Sequence, residues 1–392
     1  MPQDPSTPQE PSTFVALLTP PQRGAVATLR VSGPQAVARV AAIFRPANGR
    51  SFCEAPVGRI VFGRWGGVTG EEVVACRLND SQVEVHCHGG RIAAAEISQS
   101  LVDLGCRPRD WREWVANDES DPIAAAARVA LAIAPTERTS TILLDQYHGA
   151  LRRAIDNLLV LLDRSDPAAE AALKALLMRG PLGLHLTAPW QVVLVGRPNV
   201  GKSSIINALL GYERAIVYDQ PGTTRDVLSA VTALAGWPVE LSDTAGLRPT
   251  ADGLEAAGID RANRRAATAD LVMLVVDASQ DFSQEVANLP ATWPQALLLP
   301  NKCDLALAAD GPLHAGASLP PVSALTGAGI EALAAEIGRR LVPAPPPSGA
   351  PVPFTVDQLR DLEESASLVA RHAFAAAAAL LRCRYAMPQN GP

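Results

Sequence analysis

The sequence predicts three pieces: a small α+β domain, an α-helical domain, and an α/β domain inserted within the helices. Three observations carry this. Short β-like runs mix with two helical ones between Phe14 and about Gly105. Apolar, strand-like runs alternate with helical segments from about Trp190 to Leu341. Helical patterns stand on both sides of that middle region.

Residues 1–12 are rich in proline and polar side chains and are expected to be a disordered tail. In the first domain (13–118), β-like runs fall at Phe14–Leu18, Ala25–Val31, Arg59–Phe62, Val73–Leu78 and Val83–His86, and helical ones at Pro34–Phe44 and Ile92–Leu104. Arg107-Pro108-Arg109-Asp110-Trp111 then passes directly to a helix. Asp121-Pro122 reads as an N-cap with proline at the first helical position. Helical spacing continues through Thr139–Leu162, and Arg179–Pro189 reads as a connector closing the first helical part, 119–189. The α/β domain takes 190–342, and Pro343–Pro353 is a stiff, extended linker. Within the last part, 343–392, Thr355-Val356-Asp357-Gln358 has the form of a capping box opening a helix to about Tyr385. No internal repeat is visible.

Composition narrows the class. The chain is 392 residues long, 48 % hydrophobic and 19 % charged, which suits a folded protein of two or three domains. A net charge of −6 without a long basic run argues against strong nonspecific nucleic-acid binding, while leaving room for a local patch that holds a folded RNA. The six cysteines form no C-x-x-C pair, so buried free thiols are expected, not disulfides or zinc. The N-terminal residues lack a signal-peptide pattern, and Ala373–Leu381 is too short to span a bilayer. The expectation is a cytoplasmic protein with no membrane association.

The chemistry lies in the α/β region. The apolar run Gln191–Val195 leads into Gly196-Arg197-Pro198-Asn199-Val200-Gly201-Lys202-Ser203, and Ser204–Leu210 continues as a helix. Strand, G-x-x-x-x-G-K-S loop and helix in that order form a phosphate site, with backbone N–H groups of Asn199 to Ser204 closing around the β-phosphate. Lys202 would neutralise the β- and γ-phosphates, and the Ser203 hydroxyl would ligate Mg²⁺. Further on, Thr223 and Thr224 lie in a polar loop where a hydroxyl completes Mg²⁺ coordination and senses the γ-phosphate. Asp243-Thr244-Ala245-Gly246 follows the strand-like Val239–Ser242, with the Asp243 carboxylate holding Mg²⁺ and the Gly246 amide contacting the γ-phosphate. Asn301-Lys302-Cys303-Asp304 follows Leu297–Leu299; the Asp304 carboxylate can accept the paired N1–H and N2–H donors of guanine, which adenine does not present. A backbone amide of Ser323-Ala324 can reach the guanine O6. Five motifs in this order predict a P-loop GTPase that binds GTP and GDP. Leu247 stands where Ras-like proteins carry a water-orienting glutamine, so hydrolysis needs another group, or else the switch is slow.

Most of the chain resembles the MnmE (TrmE) family of tRNA-modification GTPases. GRPNVGKSSIINALLGYERAIVYDQPGTTRDV and DTAGLRPTADGLEAAGIDRA resemble that family almost throughout, as do TPPQRGAVATLRVSGPQA and VEVHCHGG in the first domain. The resemblance implies homodimerisation through the G domains and a K⁺ ion acting where other GTPases place an arginine finger. Asn199 matches the family's K⁺-ligating asparagine, Thr223 lies in its K⁺ loop, and Tyr218 and Gln220 stand at loop positions that suit backbone carbonyl ligands. Glu255 aligns with the glutamate that orients the attacking water; the other reading is an exposed glutamate at a helix start.

The resemblance further implies formyl-tetrahydrofolate binding, with Arg30 and Glu84 at matching positions; the alternative is a structural ion pair. His86 and His88 alternate with Glu84 on a strand, and His88 belongs to the family's HGG turn, which favours structure over metal ligation. The chain departs from the family in lacking a P-G-E-F segment and in placing Glu119 where the N-x-K-L-D lysine falls. No Cys-x-Gly-Lys motif follows Cys383. Two functions remain open. One is a GTPase acting with an MnmG (GidA)-like flavoprotein on C5 of the tRNA wobble uridine. The other is a GTP-dependent switch or assembly module without folate chemistry.

Overall fold

A computed structural model describes residues 12–19, 24–67, 70–212, 229–243, 266–282, 296–305 and 319–386. The chain divides into two compact units, Met1–Glu119 and Ser120–Pro392.

The first unit is built on a seven-stranded sheet. In chain order the strands are β1 (Phe14–Leu17), β2 (Val26–Ser32), β3 (Phe44–Pro46), β4 (Ile60–Trp65), β5 (Glu71–Asn79), β6 (Gln82–His88) and β7 (Arg107–Pro108). Their spatial order is β3-β4-β5-β6-β2-β1-β7, antiparallel except for β1 with β7. Alternation drives this sheet: Ala27, Leu29 and Val31 of β2 and Val83, Val85 and Cys87 of β6 point to the buried side. Against them pack Ala36 and Val40 of α1 (Ala36–Ile43) and Ala94, Ile97 and Leu101 of α2 (Arg91–Asp103). The segment after α2 does not pass straight to a helix. Arg107 and Pro108 first add the short edge strand β7, and Asp110 then caps α3 (Trp111–Asp118) by accepting from the Arg112 amide at 2.8 Å.

The second unit opens with helices α4 (Pro122–Leu131), α5 (Glu137–Tyr147), α6 (Ala150–Asp163), α7 (Ala168–Leu177) and α8 (Gly180–Leu184). The Asp121 carboxylate accepts from the Ile123 amide at 3.0 Å, with Pro122 at the first helical position. The helical run across Thr139–Leu162 is two helices, not one. Gly149 adopts φ 87°, a left-handed state open to glycine, and the chain turns there. Likewise the connector Arg179–Pro189 contains α8, and the final helical stretch breaks at His372 (φ 58°) into α11 (Val356–Ala370) and α12 (Phe374–Tyr385). The expected capping box is present: Thr355 Oγ1 accepts from the Gln358 amide at 3.1 Å, and Gln358 Oε1 from the Thr355 amide at 3.2 Å. α11 packs on α7 and α12 on α6, so helices on both sides of the α/β region share one core through Leu158, Leu173, Leu362 and Leu381.

Between them lies a five-stranded sheet of β8 (Trp190–Val195), β9 (Ser229–Leu234), β10 (Trp237–Asp243), β11 (Leu271–Asp277) and β12 (Leu297–Asn301), in the order β12-β11-β8-β10-β9. All neighbours are parallel except β9 with β10. Val192–Val195 and Val272–Val276 are continuous buried runs, as a parallel sheet covered on both faces requires. α9 (Lys202–Tyr212) and α10 (Ile330–Leu341) pack against each other. The fold is thus an α/β P-loop domain inserted in a helical domain, with an N-terminal α+β domain in the chain. No described helix is long and apolar enough to cross a membrane.

Two sequence expectations need adjusting. Cys76, Cys87 and Cys106 are buried, whereas Cys53 and Cys383 are exposed; burial raises the Cys87 and Cys106 thiols above their ordinary pKa. The proline-rich stretch 343–353, expected as a stiff, extended linker, is also tied into the helical domain. Asp145 accepts from the Gly349 amide at 2.7 Å, and Arg179 donates to the Pro351 carbonyl at 3.0 Å. The fully buried Gln146 donates to the Ala350 carbonyl at 3.1 Å and accepts from the Val352 amide at 3.1 Å. Gln146→Leu would strand both backbone groups, and each buried unpaired group costs about 1–3 kcal/mol. Urea denaturation is expected to show a loss of about 2–4 kcal/mol, against under about 0.5 kcal/mol for the exposed Glu137→Gln.

Candidate functional site

Four strands of the parallel sheet end on the same edge, and each delivers part of the site there. β8 ends at Val195 and runs into the phosphate loop; β10 ends at Asp243, β11 at Asp277 and β12 at Asn301. Register fixes their relative heights: Asp243 lies beside Leu194, and Asp277 beside Asn301.

The phosphate loop is folded for its task. Gly196 has φ 142°, and a Cβ there would meet the Val275 carbonyl oxygen at 2.3 Å, so the loop approaches β11 as only glycine permits. Lys202, 4 % exposed, donates through Nζ to the Gly196 and Arg197 carbonyls at 2.9 Å each. Its ammonium is thereby held under the loop, where it would face a bound phosphate. Burial lowers the Lys202 pKa, and the Asp243 charge opposes that shift. Ser203 donates through Oγ to Asp243 Oδ2 at 2.7 Å. Two hard oxygen donors from different elements meet there, a set suited to Mg²⁺. Asn199 stands exposed at the loop with φ 65°, and Ser204 is exposed on the first turn of α9.

The base-side motif is tied into the same loop. Asn301 is 2 % exposed; its Nδ2 donates to the Val200 carbonyl at 2.8 Å, and its Oδ1 accepts from the Ala324 amide at 3.2 Å. One side chain thus joins the phosphate loop, the end of β12 and the Ser323-Ala324 turn. Ser323 is fully buried and holds that turn by accepting from the Thr326 amide at 3.2 Å. Cys303 donates its amide to the Val322 carbonyl at 3.1 Å, and the Asp304 side chain is exposed beyond it.

Sequence reading passed over Asp277, although it ends an apolar strand as Asp243 does. Its Oδ2 accepts from Lys302 Nζ at 2.7 Å. Burial pushes its carboxyl up, but hydrogen bonds from Lys302 and Ser279 outweigh that and hold it below the usual carboxylate range.

Tyr218, Gln220, Thr223, Thr224, Thr244, Ala245, Gly246, Leu247 and Glu255 lie outside the described residues. Of the K⁺ set, only Asn199 is described.

In the first unit, Arg30 and Glu84 are cross-strand partners and form an ion pair. Arg30 also donates to Gln82 Oε1 at 3.3 Å, and its guanidinium carbon lies 4.6 Å from the centre of the Trp114 ring. The other Glu84 oxygen faces His86 Nε2 at 3.4 Å, and His86 Nδ1 pairs with Thr28 Oγ1 at 3.0 Å. His88 pairs with Glu71 at 2.6 Å. Among the described residues no group of three His, Cys, Asp or Glu side chains is placed to hold a metal. Arg30 and Glu84 thus lie in one polar stripe, in which Arg30 Nε is buried without a hydrogen-bond partner.

Comparison with known proteins covers both units. The family described as GTP-binding protein TrmE N-terminus matches residues 13–114, and the family described as 50S ribosome-binding GTPase matches residues 191–302. A tRNA modification GTPase MnmE of Natranaerobius thermophilus is 33 % identical over 75 % of this chain and 73 % of its own length. That of Moorella thermoacetica is 34 % identical over 83 % and 81 %, and that of Synechococcus sp. 35 % identical over 80 % and 78 %. Among solved structures, the FeoB G-domain from Methanococcus jannaschii is 26 % identical, covering 39 % of this chain and 97 % of that one, at a TM-score of 0.30. With relatives above 30 % identity across most of both lengths and a family match in each unit, this GTP-hydrolysing enzyme belongs to the MnmE family.

Proposed function

We propose that the chain is a K⁺-stimulated, dimerisation-dependent GTPase that acts with a flavoprotein partner to modify C5 of the wobble uridine in tRNA. The observation that carries the GTPase part is the convergence of Lys202, Ser203, Asp243 and Asn301 on one sheet edge. The tRNA part rests on the relatives, which are tRNA modification GTPases and match this chain across both units. Under this reading the working pieces are the tail 1–12, the dimerising domain 13–118, the helical parts 119–189 and 343–392, and the G domain 190–342.

Each residue then has a task. Backbone amides of Asn199 to Ser204, with the start of α9, cradle the phosphates, and Lys202 balances their charge. Ser203, Thr224 and Asp243 would hold Mg²⁺, which when bound offsets charge on the β- and γ-phosphates. Asn199, Tyr218, Gln220 and Thr223 would hold K⁺. Glu255 orients the attacking water, a role that Leu247 cannot fill. Thr244, Ala245 and Gly246 carry the γ-phosphate contact, while Asp304, Ser323 and Ala324 read guanine.

A second reading, a GTP-dependent switch without folate chemistry, is favoured by one arrangement. Arg30 pairs with Glu84 and Gln82, and Glu84 with His86, beside Trp114. Glu119, at the end of that unit, places a negative charge where the family has a lysine.

Three measurements test these readings. Deleting the gene is expected to remove the C5 modification from wobble uridines, read by nucleoside mass spectrometry; unchanged nucleosides reject the tRNA role. GTP turnover is expected to be about ten-fold or more faster in K⁺ than in Na⁺, and Glu255→Ala to lose about 10²-fold in kcat at nearly unchanged GTP affinity. Equal rates in the two salts, or an active Glu255→Ala, would remove those assignments. Calorimetry with formyl-tetrahydrofolate separates the two functions, since an absent heat signal selects the switch.

A further inference from the structure

Lys302 is one of only three lysines in the chain, with Lys174 and Lys202. Its backbone is left-handed, φ 65°, which is uncommon for a long side chain. From there the side chain runs to the end of the neighbouring strand, and Nζ donates to Asp277 Oδ2 at 2.7 Å. Asp277 is itself fixed. It is 7 % exposed, and its Oδ1 accepts from both the Ser279 amide at 3.0 Å and the Ser279 hydroxyl at 2.7 Å. The two strand ends are locked together beside it, since the Ala278 amide donates to the Asn301 carbonyl at 2.8 Å. Lys302 and Asp277 face a cleft of about 110 Å³ whose other walls include Asn199 and Val200 of the phosphate loop and the buried Phe282.

We propose that Asp277 is a positioning residue for the guanine base: it anchors the Lys302 ammonium so that the lysine stem lies fixed as an apolar platform for the base. The proposal rests on the GTP reading of the site. A free lysine has many rotamers to lose on binding, and one anchored before the ligand arrives has already given them up. The pairing has a second effect. With its charge neutralised by Asp277, Lys302 does not compete with Lys202 for the phosphates. Ser279 keeps the carboxylate turned toward Lys302.

The scarcity of lysine makes this directly measurable on the full chain. Nucleotide-free protein is acetylated briefly, and labelling is read residue by residue, with Lys174 as the internal standard. Asp277→Asn is expected to raise Lys302 labelling about five-fold relative to Lys174 and to leave Lys202 unchanged. GDP should bind about ten-fold more weakly, while kcat at saturating GTP stays within about two-fold. Asp277→Glu should recover most of both effects. Unaltered Lys302 labelling, or wild-type GDP affinity, in Asp277→Asn overturns the proposal. If Asp277→Asn fails to fold, Ser279→Ala keeps the carboxylate but loosens it and should show the same pair of changes at about two- to three-fold; no change there also overturns it. Wild-type protein that binds no GDP would instead reject the GTP reading itself.

Discussion

The buried side chain of Asn301 joins three segments that are far apart in sequence: the phosphate loop at Val200, the end of β12, and the turn at Ala324. Its amide has a donor for one loop and an acceptor for the other, which a carboxylate or an ammonium cannot supply. Because Asn301 is 2 % exposed, water cannot stand in for either partner. The phosphate loop and the Ser323-Ala324 turn are therefore held at a fixed separation by one side chain. This depends in turn on the parallel sheet, which brings β8, β11 and β12 to a common edge. The same edge sets Ser203 against Asp243 and Lys302 against Asp277. The common sheet edge brings these side chains together, and this is why short motifs scattered over more than a hundred residues meet in one place.

How much of this was legible depended on whether the signal was local. The phosphate loop was readable because strand, glycine loop and helix follow one another within twenty residues. Thr355 and Gln358 announced their capping box for the same reason. Asp277 was missed because its significance is not local: an aspartate ending an apolar run has no meaning until Lys302 is placed opposite it by the pairing of β11 and β12. Apolar spacing survives across a single turn, so the helical stretches over Thr139–Leu162 and after Thr355 look unbroken in the sequence. Only the backbone at Gly149 and His372 shows the breaks. Composition marks the proline-rich stretch as a stiff, extended linker but cannot show its partners Asp145, Gln146 and Arg179, which lie about 170 to 205 residues upstream.

The polar stripe across β2 and β6 shows how a resemblance can be right while a residue's task stays open. Pairing sets Thr28 beside His86, Arg30 beside Glu84 and Ser32 beside Gln82. The resulting line of side chains runs from Thr28 through His86 and Glu84 to Arg30 and Gln82. Both ring nitrogens of His86 have partners within it, Nδ1 with Thr28 and Nε2 with Glu84. Trp114 of α3 covers the arginine face, so the short segment between α2 and α4 bears directly on what this stripe can bind.

The sharing of one core by helices before and after the α/β insertion bears on how the protein is made. α6 and α7 complete their packing with α12 and α11, and residues 190–341 intervene. During synthesis the apolar faces around Leu158 and Leu173 emerge long before Leu362 and Leu381 exist to cover them. The inserted domain has its own sheet and is fully synthesised before that closure takes place. Closing so long a loop is slow compared with local helix formation. The helical domain can therefore complete its core only after the whole inserted domain has been made.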